Sequence, residues 1–179
     1  LCGRNFEYMS EDPYLAGELS ASYVNGVQSK NVGVSVKHYA ANSQEYKRMS
    51  VDSIVDERTL REIYLKAFEI TIKKSKPWTL MCAYNKINGT YCSENKKLLT
   101  DIPRGEWGYE GIIMTDWGAM NDRVEALKAG LELEMPSSSG YNDNRIVEAV
   151  KNGELDIEIL NNTVRNLLEW IELGLNEQP

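Results

Sequence analysis

Apolar residues gather in four short runs, each bounded by polar or turn-forming residues and rich in β-branched side chains, leucine or methionine. The runs cover residues 32–36, 79–83, 111–115 and 131–135. Helical patterns lie before, between and after these runs, over residues 13–28, 57–74, 97–107 and 122–129. The pattern therefore predicts a helix followed by four strands that alternate with helices.

Two further helical patterns follow the last run, at residues 144–152 and 157–173. Five apolar residues of the second pattern share one helical face: Leu160, Val164, Leu167, Leu168 and Ile171. Continuous apolar strands that alternate with helices predict a parallel sheet covered on at least one side. The fold class indicated by the sequence is therefore α/β.

Two α/β architectures fit this order of elements. A doubly wound sheet usually carries a glycine-rich phosphate loop after its first strand, and neither GxGxxG nor GxxxxGKS/T occurs in the sequence. A (β/α)8 TIM-type barrel instead gathers catalytic groups at the carboxyl ends of several strands. Polar residues do close the four runs: Lys37 and His38, Tyr84 and Asn85, Asp116, and Glu134. Because such a barrel typically needs about 250 residues and eight strands, the four predicted strands amount to half a barrel.

Charge narrows the classes of partner. The formal net charge is −7 and the isoelectric point is about 4.9. A negative net charge repels nucleic-acid phosphates and disfavours binding to an anionic membrane surface. A neutral ligand is therefore expected. No apolar run approaches the roughly 20 residues that a membrane-spanning helix needs, and the first residues lack the pattern of a signal peptide. A signal upstream of Leu1 is left open.

Cysteine usage bears on cofactors and on the compartment. Cys2, Cys82 and Cys92 form no CxxC pair and are odd in number, which argues against a disulfide framework and against a structural zinc site. Free thiols favour a reducing compartment, so a cytoplasmic location is expected. We expect no metal and no organic cofactor.

The sharpest chemical feature is an apolar strand that ends in a carboxylate and a large aromatic residue, Asp116 and Trp117. A carboxylate can attack or stabilise an oxocarbenium-like centre, and an aromatic face packs on the C–H surface of a pyranose. The plainer alternative is that Asp116 caps the helix predicted near Asn121 and that Trp117 fills space. Composition and spacing leave both interpretations open.

Other polar residues at strand ends carry weaker signals. His38 is the single histidine of the chain, and with Lys37 it follows the first run. A lone histidine is more often a packed, hydrogen-bonded core residue than a catalyst. Tyr84 follows the second run and fits either a core or a pocket. Asn88 and Gly89 together are a strong tight-turn signal.

Four motifs connect these residues to a known family. They lie at residues 3–13, 36–45, 56–62 and 115–119. In sequence, order and spacing they together resemble the β-glucosidases of glycoside hydrolase family 3. The resemblance runs from Gly3 to about Pro136 and continues more weakly through the closing helices. It implies that residues 1–179 are the C-terminal half of a (β/α)8 glycosidase barrel, with four parallel strands alternating with helices.

The resemblance also assigns roles at the predicted strand ends. Asp116 matches the nucleophile, which forms a glycosyl-enzyme intermediate, and Trp117 matches a residue that lines the sugar site. Tyr84 matches a tyrosine beside the nucleophile, where its hydroxyl would orient the carboxylate. The general acid/base of the family comes from a second domain, which would lie beyond Pro179. An aspartate that grips sugar hydroxyls would lie upstream of Leu1.

Four basic residues match positions that bind the terminal non-reducing sugar. They are Arg4 of the glycine–arginine motif, the adjacent Lys37 and His38, and Arg48, which lies eleven residues after Lys37. The N-acetylglucosaminidase branch is disfavoured because the chain has no second histidine, and the intact Asp116-Trp117 pair disfavours the β-xylosidase branch.

The implied function is that of a retaining, exo-acting β-glucosidase that hydrolyses terminal β-D-glucosyl residues by double displacement. Its expected partners are β-linked glucosides or oligosaccharides, without nucleic acid or membrane. The alternatives are a β-xylosidase or other family 3 exo-glycosidase, and a carbohydrate-binding fragment without catalysis. A half barrel is also expected to associate with itself or with the missing part of the barrel.

Overall fold

The computed structural model describes residues 3–176. Its strands are β1 (Ser35–Tyr39), β2 (Asp52–Ser53), β3 (Thr79–Cys82), β4 (Lys86–Ile87), β5 (Thr90–Tyr91) and β6 (Ile112–Thr115). Its α-helices are α1 (Pro13–Gln28), α2 (Glu57–Thr59), α3 (Lys66–Ser75), α4 (Arg123–Ala129), α5 (Tyr141–Lys151) and α6 (Ile157–Asn176). Two segments, Leu60–Tyr64 and Lys97–Glu106, are π-helical, and Asn5–Glu7 and Cys92–Glu94 are short 3-10 helices.

The central sheet is parallel and has three strands in the order β1-β3-β6. β3 and β6 pair in register from Thr79 with Ile112 to Cys82 with Thr115, and β6 is buried along its whole length. Burial on both faces explains why the strands appear in the sequence as unbroken apolar runs. The predicted α/β class with parallel strands is confirmed.

The predicted fourth strand, residues 131–135, was wrong as a strand. Within the described residues it makes only one parallel bridge, between Met114 and Leu133. Its backbone pairs briefly with β6, since the Thr115 N–H donates to the Leu133 carbonyl and the Glu132 N–H donates to the Ile113 carbonyl, both at 3.0 Å. The carbonyl oxygens of Leu131 and Glu132 instead accept from the Arg123 guanidinium, at 3.1 and 2.8 Å. The Glu132 carboxylate in turn accepts the backbone N–H of Ile113 at 2.8 Å. Side chains thus supplement a short backbone pairing at this edge.

The first strand was predicted three residues too early, at 32–36, whereas β1 is Ser35–Tyr39. Lys37 and His38 therefore lie within the strand and not after it. Alternation along the strand places them in different environments, since the His38 side chain is 4% exposed and that of Lys37 is 42% exposed.

Two helical predictions need correction. The pattern at 57–74 is not one α-helix, because α2 passes into the π-helical turn Leu60–Tyr64 before α3 begins. The segment predicted at 97–107 is π-helical and contains Pro103, which has no N–H to donate to an α-helical ladder. The Tyr109 N–H donates to the Pro103 carbonyl at 2.8 Å and ends this segment.

Local capping fixes the ends of the helices that flank the sheet. Asp12 accepts the Leu15 N–H at 2.7 Å and precedes Pro13 at the first position of α1. Asp122 accepts the N–H groups at the start of α4, and Gly130, with φ at 101°, follows the last residue of that helix. Since Asp122 supplies this cap, the structure leaves Asp116 without a capping role.

A second, smaller sheet joins β2, β4 and β5 beside the strand ends. The predicted Asn88-Gly89 turn is confirmed, with φ values of 50° and 92° that join antiparallel β4 and β5. The Asn88 amide bridges to Val55 through two hydrogen bonds of 3.0 and 2.8 Å. The hairpin is thus fastened to the segment that leads into α2.

Candidate active site

Asp116 follows β6 directly, at the carboxyl end of the central sheet. Its N–H donates to the Cys82 carbonyl at 3.1 Å, so the nucleophile candidate is tied to the end of β3. Its carboxylate is 13% exposed and receives contacts on both oxygens. The Tyr84 hydroxyl and the Trp117 N–H lie 3.1 and 2.6 Å from Oδ1, and His38 Nε2 lies 3.3 Å from Oδ2. The carboxylate is therefore oriented by three neighbouring groups.

Tyr84 is the residue that joins the strand end of β3 to the Asp116 loop. Its hydroxyl lies 2.8 Å from the Trp117 carbonyl oxygen and 3.1 Å from Asp116 Oδ1, so both acceptors compete for one proton. Burial and then the charge of Asp116 raise the pKa of Tyr84 above its usual value. The hydroxyl thus stays protonated and serves as a donor.

His38 is a buried ring with a partner at each nitrogen. Nδ1 lies 2.8 Å from the Tyr8 hydroxyl, and Nε2 faces Asp116. Burial lowers the pKa of His38 below its usual value, although the charge of Asp116 opposes this shift. The ring is accordingly neutral near pH 7, with one N–H to donate and one lone pair to accept.

Glu7 lies close to three of the four basic residues predicted for sugar binding. Its carboxylate receives two hydrogen bonds from the Arg4 guanidinium, of 2.5 and 3.0 Å. The Lys37 ammonium lies 4.0 Å from Oε2, and His38 Nδ1 lies 3.9 Å from Oε1. The hydrogen bonds from Arg4 lower the pKa of Glu7, so it stays ionised beside these groups.

Arg48 and Trp117 complete the set of predicted residues. The guanidinium carbon of Arg48 lies 5.0 Å from the centroid of the Tyr84 ring, a cation–π contact that ties Arg48 to the carboxylate through Tyr84. Trp117 contacts Asp116 and Tyr84 through its backbone, while the residue is 64% exposed. An aromatic side chain of this size is thus available to solvent beside the carboxylate.

The structure therefore brings the sequence-predicted residues into one cluster. His38, Tyr84 and Trp117 contact Asp116 directly, whereas Arg4 and Lys37 connect to His38 through Glu7 and Arg48 connects through Tyr84.

Glu7 and Tyr8 were missed by sequence reasoning. Spacing could have found Glu7, because it lies three residues after Arg4 at the end of a short helical turn. No local signal marks Tyr8, whose partner lies 30 positions away.

Two of the three cysteines lie among the described residues. Cys82 and Cys92 are buried free thiols, and burial raises the pKa of Cys92 to about 12. Cys2 lies outside the described residues. Within residues 3–176, no three His, Cys, Asp or Glu side chains gather as metal ligands, and no helix is long and apolar enough to cross a membrane.

Comparisons with known proteins place the chain in a family. Residues 2–170 match the model of the glycosyl hydrolase family 3 N-terminal domain. A thermostable β-glucosidase B of Acetivibrio thermocellus is 59% identical over 178 residues, which cover 99% of this chain and 24% of that protein. An exo-α-(1→6)-L-arabinopyranosidase of Bifidobacterium breve is 53% identical over 171 residues, which cover 96% of this chain and 22% of that protein.

Solved structures agree with this assignment. The GH3 β-glucosidase of Bifidobacterium adolescentis superposes with a TM-score of 0.94 at 50% identity, over 98% of this chain and 26% of that one. The β-glucosidase 3B of Thermotoga neapolitana in complex with α-D-glucose gives a TM-score of 0.92 at 50% identity, over 100% and 27%. The chain thus spans about a quarter of the length of these relatives. Sequence motifs, fold and comparisons together establish that this chain belongs to glycoside hydrolase family 3.

Proposed function

We propose that the protein is a retaining, exo-acting β-glucosidase in which Asp116 is the nucleophile. The observation that carries the proposal is the environment of Asp116. Its carboxylate lies at a strand end, is oriented by Tyr84, the Trp117 N–H and His38, and has an exposed indole beside it. β-Glucosidases among the relatives at up to 59% identity support glucose as the glycone.

The reaction follows from the position of one oriented carboxylate. An oxygen of Asp116 attacks the anomeric carbon while the bond to the leaving-group oxygen breaks, which gives a covalent glycosyl ester. Water then attacks that carbon from the opposite face and releases Asp116, so the configuration is retained. A second carboxyl group, roughly 5 to 5.5 Å away, protonates the leaving group and later deprotonates the water. We propose that this acid/base lies beyond Pro179.

We propose that the basic residues around the carboxylate bind the glycone. Arg4, Lys37, His38 and Arg48 present N–H donors, and sugar hydroxyls are acceptors for such donors. The Trp117 ring offers an apolar face for the sugar C–H surface. The complex of the Thermotoga neapolitana relative with α-D-glucose supports glucose binding in this fold. No metal or organic cofactor enters the proposed steps.

We propose that residues 1–179 are the C-terminal half of a (β/α)8 barrel. Three parallel strands with helices between them, in sequence order, support this architecture. So does the site, because Asp116 and Tyr84 follow the carboxyl ends of β6 and β3. The remaining strands would pair at the edges of the sheet. We also propose a cytoplasmic location, because Cys82 and Cys92 are free thiols.

A second candidate function is an exo-glycosidase that accepts pentopyranosides. It is favoured by the relatives named as arabinopyranosidases, one of which is 53% identical to this chain. Aryl β-D-glucoside, β-D-xyloside and α-L-arabinopyranoside can be compared on the same enzyme. The highest kcat/KM with the glucoside supports the first candidate, whereas a higher value with either pentoside supports the second. A carbohydrate-binding protein without catalysis would turn over none of the three.

The role of Asp116 has a direct test in the full-length protein. A 2-fluoro-β-glucoside with an activated leaving group should accumulate as an ester, and peptide mapping should locate it on Asp116. Asp116→Asn should lose nearly all turnover while its circular dichroism spectrum stays that of the wild type. Asp12→Asn changes an exposed capping carboxylate and should retain turnover. An adduct on any other carboxylate would overturn the assignment.

A further inference from the structure

Tyr8 lies within the motif at residues 3–13, which assigned it no role, yet it contacts the single histidine of the chain. Its hydroxyl is 2.8 Å from Nδ1 of His38, and the two ring centroids are 6.1 Å apart with planes inclined by 51°. On the other side of the imidazole, Nε2 lies 3.3 Å from Oδ2 of Asp116. The ring is therefore held between a hydroxyl group and the proposed nucleophile.

The chemistry of these three groups selects one tautomer of His38. A neutral imidazole has one N–H and one lone pair, and a carboxylate can only accept a hydrogen bond. Nε2 must therefore carry the proton if it is to donate to Asp116. Nδ1 is then an acceptor, and the Tyr8 hydroxyl is placed to donate to it.

The opposite tautomer would have a partner if Tyr8 were absent. Glu7 Oε1 lies 3.9 Å from His38 Nδ1 and could attract a proton carried there. Nε2 would then turn a lone pair toward the Asp116 carboxylate, which is repulsive. The Tyr8 hydroxyl is the neighbour of Nδ1 that can donate a proton toward it, because Glu7 is ionised and can only accept.

We propose that Tyr8 is a positioning residue that holds His38 as the Nε2–H tautomer and so directs its proton toward Asp116 and the bound glycone. The consequence for catalysis rests on the proposed glucosidase function, whereas the tautomer itself does not. Burial keeps His38 neutral near pH 7, so the choice between two neutral tautomers is the relevant one.

The tautomer can be measured without reference to activity. In the intact protein labelled with ¹⁵N-histidine, two-bond ¹H–¹⁵N correlation spectra distinguish the Nε2–H from the Nδ1–H form. The His38→Gln variant assigns the signal if the intact protein contains histidines outside residues 1–179. Wild-type His38 should be the Nε2–H tautomer, and Tyr8→Phe should shift it to the Nδ1–H form or to a mixture. Tyr23→Phe, at a residue that is 61% exposed, should leave it unchanged.

Kinetics test whether the tautomer matters. Tyr8→Phe should lower kcat/KM about tenfold, in line with the loss of one buried hydrogen bond, while Tyr23→Phe stays at the wild-type value. An altered tautomer with unchanged kcat/KM would overturn the positioning role. An Nδ1–H or doubly protonated ring in the wild type would overturn the whole proposal, even if Tyr8→Phe failed to fold. A wild type without glucosidase activity but with the expected tautomer shift would instead count against the proposed function.

Discussion

A buried histidine and an exposed tryptophan flank the same carboxylate, and their surroundings suit them to different tasks. His38 is 4% exposed and has polar partners at both nitrogens, so it is a packed residue that also faces the site. Trp117 is 64% exposed, and its backbone holds Asp116 and Tyr84. Polar groups of His38, Tyr84 and the Trp117 backbone thus contact Asp116, while the Trp117 side chain is accessible to a ligand.

Removal of a basic side chain from the cluster should weaken the enzyme more than it weakens the fold. Alanine at Lys37, His38 or Arg48 leaves substrate hydroxyls without a charged or polar partner, and a hydrogen bond to a charged group contributes roughly 1.5 to 3 kcal/mol. We therefore expect kcat/KM to fall about tenfold or more. Steady-state kinetics with an aryl glucoside, together with thermal unfolding of each variant, measures both effects.

Lys30→Ala is the matched control. Lys30 is an exposed basic residue in the loop between α1 and β1, and it does not belong to the cluster. It should change neither kcat/KM nor the melting temperature. Variants at the cluster that unfold, while the activity per folded molecule stays normal, would instead identify these residues as core residues.

The sequence could predict those site residues that belong to motifs, but not the contacts that orient them. Tyr84 and Asp116 are 32 positions apart, and they meet because they follow neighbouring parallel strands. The alternation of apolar runs and helical patterns predicted this arrangement. Tyr8 contacts His38 and Glu7 lies near Lys37, and both partners belong to a different element. A side-chain contact across elements depends on how they pack, and no periodicity encodes it.

At the edge of the sheet beyond β6, side chains supplement a short backbone pairing. Glu132 is 4% exposed and accepts three hydrogen bonds, from the Ile113 N–H (2.8 Å), Arg104 (2.5 Å) and Asn166 (3.3 Å). It thereby links β6 to the π-helical segment Lys97–Glu106 and to α6. The sequence predicted a full strand here because an apolar run does not reveal that the Ile113 N–H donates to a buried carboxylate and not to a backbone carbonyl.

Loss of the Glu132 carboxylate should destabilise the fold strongly. Glu132→Ala leaves the buried Ile113 N–H unpaired and deprives Arg104 of its partner, and breaking a buried pair in this way costs about 3 to 5 kcal/mol. Urea unfolding at neutral pH measures the change in the free energy of unfolding.

Glu125→Ala is the control, since Glu125 is 55% exposed and pairs with Lys128 on the surface of α4. Such exposed pairs contribute about 0 to 1 kcal/mol. Equal losses for the two variants would show that Glu132 is not the group that holds this edge.

For the whole molecule, the described residues leave apolar surface and a sheet edge uncovered. β1 lies at the end of the strand order and pairs with β3 on one side. The apolar face predicted for the last helix is only partly covered, because Leu160 packs against the cluster around Leu127 while Leu168 is 60% exposed and Ile171 is 50% exposed. Uncovered sheet edges and apolar faces favour association with another chain or with further parts of the same protein.

The 179-residue chain, expressed by itself, should therefore associate and should fail as a β-glucosidase toward natural substrates. Size-exclusion chromatography should show oligomers, because the β1 edge and the α6 face both invite pairing. The expected loss of activity has a separate chemical cause. Without the proposed acid/base beyond Pro179, a sugar leaving group departs unassisted, and general acid catalysis is typically worth about 10² to 10⁴-fold.

Two substrates assayed on the same purified chain separate these deficits. An activated nitrophenyl β-glucoside needs little protonation of its leaving group, so Asp116 can attack it wherever the half site forms, and a trace of nitrophenol is the most that we expect. A β-linked disaccharide should stay intact under the same conditions. The Asp116→Asn chain sets the background for both assays, because it lacks the proposed nucleophile and keeps the same edges. Efficient disaccharide hydrolysis by a monomeric chain would show that a carboxyl group within residues 1–179 serves as the acid, and the proposed position of the acid/base would then be wrong.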